Sequence, residues 1–367
     1  MIDPRLQKLA EVIVRYSLKI VPGDTFRING TDLCGPLIRA VYREAIHAGA
    51  MVTVELDMDG LNEILLKEGS DEQLAYVSPL WEHGVEYFTT DLVIAGKHNT
   101  KALSSIDPAR MALRGKAFAK LGERFMERAA KNEIRWCYTL FPTQASAQDA
   151  SMSLTDYEDF VFGAGLLDHA DPVASWQAVE AKQQKIVDFL SKHDEIHIVA
   201  PGTDIIYRVG GRTWLNAAGR FNFPDGEVFT GPLETSVNGT VNFTYPAIYM
   251  ANEVEDVRLT FRDGRVVDAS AGRGRAFLDS MLDMDDGSRM LGEVAFGLNY
   301  GIKRFTRNIL FDEKIGGTMH MALGASYPES GGLNKSGLHW DMICDLREGQ
   351  VFADGQLCYE HGQFIVD

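Results

Sequence analysis

The chain has 367 residues, 45% of them hydrophobic and 24% charged, with a formal net charge of −16. That length suits one large or two ordinary domains with a sizeable core. The acidic balance argues against a nucleic-acid backbone or an anionic membrane as partner, since both favour a basic face.

In chain order, MIDPRLQKLAEVIVRYSLKI (1–20) has an amphipathic helix pattern with charges throughout and lacks the apolar run of a signal peptide. GDTFRING (23–30) reads as a short strand bounded by glycines. A helix pattern follows through Leu37, Ile38, Val41 and Ala45 and stops at Ala48-Gly49; MVTVEL (51–56) then completes a β-α-β unit. DLVIAG (91–96) reads as a further buried strand, and Asp107-Pro108 opens a helix with proline at its first position. Residues 1–193 are therefore expected to form an α/β domain with a largely parallel sheet.

Asp171-Pro172 starts a long amphipathic helix to about Ser191, with Trp176, Val179, Ile186, Phe189 and Leu190 on its apolar side. Beyond His193-Asp194 the character changes. EIHIVAPG, IIYRVGG, VNGTVNF and VRLTFRDGRVVDAS are strand patterns separated by glycine turns, with Asp263-Gly264 a strong hairpin turn. Residues 194–367 are expected to form a β-rich α+β domain. No internal repeat or low-complexity tract interrupts the chain, and no apolar run approaches the ~20 residues that span a bilayer.

Cys34, Cys137, Cys344 and Cys358 lie far apart, with no CxxC pair, which predicts reduced thiols in a cytoplasmic protein. The sequons at Asn238 and Asn242 are then incidental. GRGRAF (272–277) has GxG without the β-α-β context of a dinucleotide site. Cys34 has no recognisable histidine partner and reads as a packed residue. His47, His83, His98, His169, His193 and His197 have no carboxylate or histidine at ligand spacing and read as structural or surface residues.

The concentrated polar chemistry lies near the C-terminus. In GLHWDMI (337–343), a strand would turn His339 and Asp341 to one side and Leu338, Trp340 and Met342 to the other. Imidazole and carboxylate side by side suit a divalent metal or, equally, a histidine–aspartate hydrogen bond within a packed sheet. Upstream, His320 leads into a small-residue stretch toward Tyr327-Pro328. In FPDGEVFTGP and LGEVAFG, Glu227 and Glu293 each follow glycine and precede valine. A carboxylate in such apolar company is costly to ionise unless paired or bound to metal. Two glutamates, two histidines and an aspartate make a mixed oxygen/nitrogen set for two ions.

TDIIYRVGGRTWLNAAGRFNFPDGEVFTGPLETSVNG, LGEVAFG, HMALGASYP and HWDMI, in that order, resemble the aminopeptidase T family of metalloaminopeptidases. LAEVIVRYSLKIVPGDTFRI and the AGA after the first helix extend the resemblance over nearly the whole chain. It implies that Glu227, Glu293, His320, His339 and Asp341 are metal ligands, and that Tyr327 is the tyrosine preceding proline in the family's site. One departure is the connection from Tyr327 to His339, which is shorter than in longer members and bears on the substrate channel.

The expected reaction is release of N-terminal residues from small peptides by water activated between two divalent ions. The resemblance also implies a homodimer. Zinc, cobalt, manganese and magnesium all suit the ligand set. Glu293 or Glu227 would accept the water's proton, and Tyr327 would stabilise the oxyanion. His320, His339 and Asp341 also match the two-histidine, one-carboxylate pattern of non-haem Fe(II) oxygenases, and ring-cleaving dihydroxypyridine dioxygenases are similar to this peptidase family. Such an enzyme has no need of Glu227 and Glu293. A peptide- or metal-binding protein without turnover is the third reading.

Overall fold

The computed structural model describes residues 3–250 and 252–366. Two compact units emerge, Met1–Val173 with Gly219–Phe223, and Ala174–Ala218 with Pro224–Asp367.

In the first unit, β1 (Thr25–Thr31), β2 (Met51–Asp57), β3 (Thr90–Ala95) and β4 (Arg135–Leu140) form a parallel sheet in the order β2-β1-β3-β4. The short β8 (Asn222–Phe223) joins β4, also in parallel. Phe26 and Ile28 are fully buried on β1, and the helix Gly35–His47 buries Leu37, Ile38, Val41 and Ala45, the stripe legible in the sequence. Asp107 caps the helix Pro108–Ala130 by accepting from the Ala109 N–H at 2.9 Å. β2 is the sheet's edge and leaves Met51 and Leu56 exposed.

The second unit begins within the helix Pro172–Leu190, whose Ile186, Val187 and Leu190 join a core made by the strands that follow. The compact units thus divide at 173/174 rather than at the 193/194 composition change, because this helix buries its apolar side against the β-rich part. Its strands are β5 (Glu195–Ala200), β6 (Thr203–Arg208), β7 (Leu215–Ala217), β9 (Glu227–Thr230), β10 (Asn238–Asn242), β11 (Ala247–Tyr249), β12 (Asn252–Val254) and β13 (Arg258–Arg262). They continue as β14 (Arg265–Ser270), β15 (Leu291–Gly297), β16 (Thr318–Gly324), β17 (His339–Asp345), β18 (Gln350–Ala353), β19 (Gln356–Glu360) and β20 (Gln363–Phe364).

Among the described residues three antiparallel sheets result, an eight-stranded one ordered β14-β13-β10-β6-β5-β18-β19-β20, a five-stranded one ordered β17-β16-β15-β9-β7 and the pair β11-β12. Asp263 and Gly264 both take positive φ, 48° and 82°, as a two-residue turn between β13 and β14 requires. Ile196, Ile198, Ile205 and Tyr207 from the eight-stranded sheet share one core with Phe296, Met319, Met321 and Trp340 from the five-stranded one. The fold is therefore an α/β unit with a parallel sheet followed by a β-rich α+β unit, as the sequence predicts.

Candidate metal centre

The five-stranded sheet buries one face in that core, and its pairing shows what the other face carries. Ala322 stands opposite Asp341 on β17 and opposite Glu293 on β15; Ala295 is opposite His320 and Phe229; Gly297 is opposite Glu227. Directly paired residues share a face. Glu227, Glu293, His320, His339 and Asp341 therefore project from one side, with Ala322, Ala295 and Gly297 as a floor too small to fill the space between them. Trp340, Met342, Met319 and Met321 project into the core on the other side.

A β-bulge makes this possible at Glu293. Leu291 pairs with Leu323, yet Glu293 pairs with Ala322, so the register slips by one at Gly292. Regular alternation would put Leu291 and Glu293 on the same face; the bulge keeps Leu291 in the core and turns Glu293 outward. The glycines before both glutamates follow from close approach. A Cβ on Gly226 (φ 127°) would lie 2.8 Å from the Asn299 Cβ, and one on Gly292 would collide with the Ala325 carbonyl.

The side chains converge. His339 Nε2 lies 3.3 Å from Glu293 Oε2 and 3.7 Å from Asp341 Oδ1. His320 Nε2 lies 3.6 Å from Glu293 Oε1, 3.5 Å from Glu227 Oε2 and 4.0 Å from Asp341 Oδ1. Both imidazoles are set from behind: His320 Nδ1 is 3.0 Å from the Glu313 carbonyl and His339 Nδ1 is 2.8 Å from the Ala325 carbonyl. A carbonyl only accepts, so each Nδ1 carries a proton and each Nε2 is the atom turned toward the carboxylates, able to ligate a metal once its own proton is lost.

Burial and charge oppose each other throughout the site. Burial would raise the Glu293 carboxyl, but the His320 and His339 imidazoles hold it down at about 2. Burial would lower both imidazoles, yet the facing carboxylates, Glu293 foremost, raise His320 to about 10 and His339 to about 9. Burial pushes Glu227 up to about 8 against the pull of the Lys314 ammonium, and Asp341 up to about 6 against that of His339. Glu227 Oε2 and Asp341 Oδ1 are buried with no hydrogen-bond partner.

Those orphaned oxygens are what a metal centre needs. Ligand atoms around a tetrahedral ion at about 2.0–2.1 Å stand roughly 3.3–3.5 Å apart, close to the shortest nitrogen–oxygen separations above and too long for good hydrogen bonds. Two donor triads meet within 4.8 Å, Glu293–His339–Asp341 and Glu313–His320–Asp341, and share Asp341. The residues present fit divalent cations.

All five sequence-predicted ligand residues are brought together. Tyr327 packs at their margin, its ring 4.9 Å from the His339 ring and 5.6 Å from that of Phe229. Desolvation and the nearby Glu293 and Asp341 charges hold its phenol above the ordinary tyrosine range, so it stays a proton donor. The short 327–339 connection is closely tied: Leu333 N–H donates to Glu234 at 2.7 Å, and Gly337 N–H donates to Asp285 at 2.7 Å.

Sequence reasoning missed Glu313 and Lys314. In FDEKIGG they look like a solvated charge run, but Lys314 is 0% exposed and bonds to the Glu313 carboxylate. A lysine embedded among carboxylates and followed by Ile-Gly-Gly, just ahead of His320, was the available pointer. Of the histidines read as structural or surface residues, His98 pairs with Asp32 at 2.9 Å and His197 with Asp204 at 2.8 Å, all four of these side chains partly exposed.

Known proteins share this fold and resemble this sequence over nearly the whole chain. The model of the thermophilic metalloprotease family matches residues 2–364. Aminopeptidase 2 of Geobacillus stearothermophilus is 31% identical, covering 96% of this chain and 95% of its own. The solved structure of wild-type AmpT from Thermus thermophilus superposes with a TM-score of 0.86 at 26% identity, covering 99% of both chains. The structure of 2,5-dihydroxypyridine dioxygenase from Pseudomonas putida gives a TM-score of 0.60 at 15% identity over 99% of this chain and 97% of that one, a likeness of fold alone. The chain belongs to the thermophilic metalloprotease family, enzymes that hydrolyse peptide bonds with divalent metal.

Proposed function

We propose that the enzyme is an aminopeptidase with a dinuclear centre, in which Glu227, Glu293, Glu313, His320, His339 and Asp341 surround two divalent ions. The observation that carries this reading is the double engagement of Glu293, with one carboxylate oxygen toward each imidazole, beside two triads joined at Asp341. Divalent ions bound there supply Lewis acidity, lowering the pKa of a water and polarising the scissile carbonyl.

The chain's own groups do the rest. Glu293, committed through both oxygens, acts as ligand. Glu227, whose Oε2 has no hydrogen-bond partner, accepts the water's proton and returns it to the leaving amine. Tyr327 donates its O–H to the carbonyl oxygen as negative charge develops there. Cleavage at the amino terminus follows the named aminopeptidase relatives. The substrates are small peptides.

The same donors include a two-histidine, one-carboxylate set, so a ring-cleaving iron enzyme is the contrasting outcome. Metal analysis with an N-terminal residue release assay decides between them. Two divalent ions per chain and release of single residues support the proposal; one iron with oxygen uptake on an aromatic substrate overturns it. Turnover failing in protein that still binds dipeptide would leave a binding protein.

We also propose a cytoplasmic homodimer. All four cysteines are free and buried, which suits a reducing compartment. Among the described residues no helix is long and apolar enough to cross a membrane. The β2 edge is unpaired on its outer side and exposes Met51 (65%) and Leu56 (61%), a strand to which a second copy can add.

A further inference from the structure

Lys314 has no exposed surface, and a desolvated ammonium needs countercharge and hydrogen-bond partners. It has three carboxylates around it. Nζ bonds to Glu313 Oε1 and lies 3.5 Å from Glu227 Oε1 and 4.0 Å from Asp225 Oδ1. The backbone holds the lysine in place, since Asn299 N–H donates to the Lys314 carbonyl at 3.0 Å and Lys314 N–H to the Phe311 carbonyl at 3.1 Å. A cationic side chain cannot ligate a metal cation. It stands behind two carboxylates that face the centre: Glu227 turns its other oxygen toward His320, and Glu313 belongs to the second donor triad.

We infer that Lys314 is a positioning residue that sets the charge of the metal centre, and through it the valence of the ions the centre accepts. With cations bound, which ionises the carboxylates and leaves His320 and His339 neutral, Asp225, Glu227, Glu293, Glu313 and Asp341 bring five negative charges, and Lys314 leaves four. Two divalent cations neutralise that balance, which is where this inference rests on the dinuclear reading. A fifth uncompensated charge within about 4–5 Å favours a trivalent ion over a divalent one, because Coulomb attraction grows with the ion's charge. The ammonium also holds Glu227 Oε1 and Glu313 Oε1 on its own side, with Glu227 Oε2 turned toward His320.

The test is competition between terbium(III), followed by its luminescence, and manganese(II) on the full-length protein. Lys314→Met should raise the preference for terbium over manganese by at least about tenfold. Adding Asp225→Asn to Lys314→Met restores the charge and should bring the preference back to within about threefold of wild type. A lysine needed only for packing would show no such rescue. A folded Lys314→Met protein with the wild-type preference overturns the inference, as does a double variant that keeps the shift. If Lys314→Met does not fold, Asp225→Asn alone carries the test: it should lower the terbium preference by about tenfold, and no change overturns the inference. Wild-type protein that takes up one ion per chain would sink the dinuclear count, whereas the lysine's effect is read from the ratio between variants.

Discussion

Glu293 Oε2 lies 3.3 Å from His339 Nε2, although 46 positions separate the two residues and they stand on non-adjacent strands. β16 lies between those strands and presents Ala322 opposite Glu293 and Gly324 opposite His339, residues small enough that the two side chains meet above it. From this contact comes the first prediction. Glu293→Gln should lose bound metal together with activity, since the amide removes charge from both sides of the centre. Glu227→Gln should keep more of its metal while kcat falls by about 10²–10⁴-fold, the usual range for a lost general base. Metal content and residue-release kinetics on the two variants check the division of roles; equal metal loss would merge them.

Ala322 should tolerate no enlargement. It is 0% exposed and sits under both Glu293 and Asp341. Ala322→Leu adds volume where the ions belong and should cost about 1–3 kcal/mol by overpacking. The expected result is a folded protein with lower melting temperature, little bound metal and little activity, read by circular dichroism and metal analysis.

Asp285 anchors the approach to His339. Its carboxylate accepts from Gly337 N–H (2.7 Å), Ser336 Oγ (2.8 Å), Ser288 Oγ (2.9 Å) and Gly287 N–H (2.9 Å). Burial would raise its pKa, but these donors hold it at about 2. A depressed carboxyl contributes stability above its unfolded value near 4 and loses it as pH falls through about 2. Asp285→Asn should therefore destabilise by about 1 kcal/mol at pH 7, discounted for its exposure, and by progressively less toward pH 2. Urea unfolding at a series of pH values measures the convergence.

Chelation should both inactivate and destabilise. Glu227 Oε2 and Asp341 Oδ1 are buried without hydrogen-bond partners, and the surrounding carboxylates repel one another without ions. Ions at a hundredfold excess over their dissociation constant stabilise by about 2.7 kcal/mol per site. Calorimetry before and after removal, then after restoring zinc, cobalt or manganese, should show melting temperature and activity recover together.

The β2 edge carries the last prediction. Leu56→Lys replaces an exposed apolar side chain on the edge strand with a charge and should shift a dimer toward monomer in sedimentation velocity. An unchanged sedimentation coefficient would move the interface elsewhere.

Much of the fold and site was legible because it rests on short-range rules. Alternation along a strand puts His339 and Asp341 on one face and Trp340 on the other in any sheet they join. The glycine–glutamate–valine segments announced two carboxylates in apolar surroundings, and both proved buried, Glu227 at 6% and Glu293 at 4% exposure. The parallel first sheet follows from strands joined by amphipathic helices, which return the chain to the end of the sheet where the previous strand began.

What only the tertiary structure decided depends on contacts distant in sequence. The bulge at Gly292 reverses the facing of Glu293 relative to Leu291, and a slipped register is visible only once β16 is paired. Whether a charge run is solvated or buried depends on what packs over it; Lys314 is enclosed because Asp225 and Glu227 come from another part of the chain. The amino-acid sequence by itself determined which groups are chemically able to bind metal. Tertiary packing decided that six of them converge, because desolvating so many charges is tolerable only where each finds an opposite charge, a hydrogen bond or an ion.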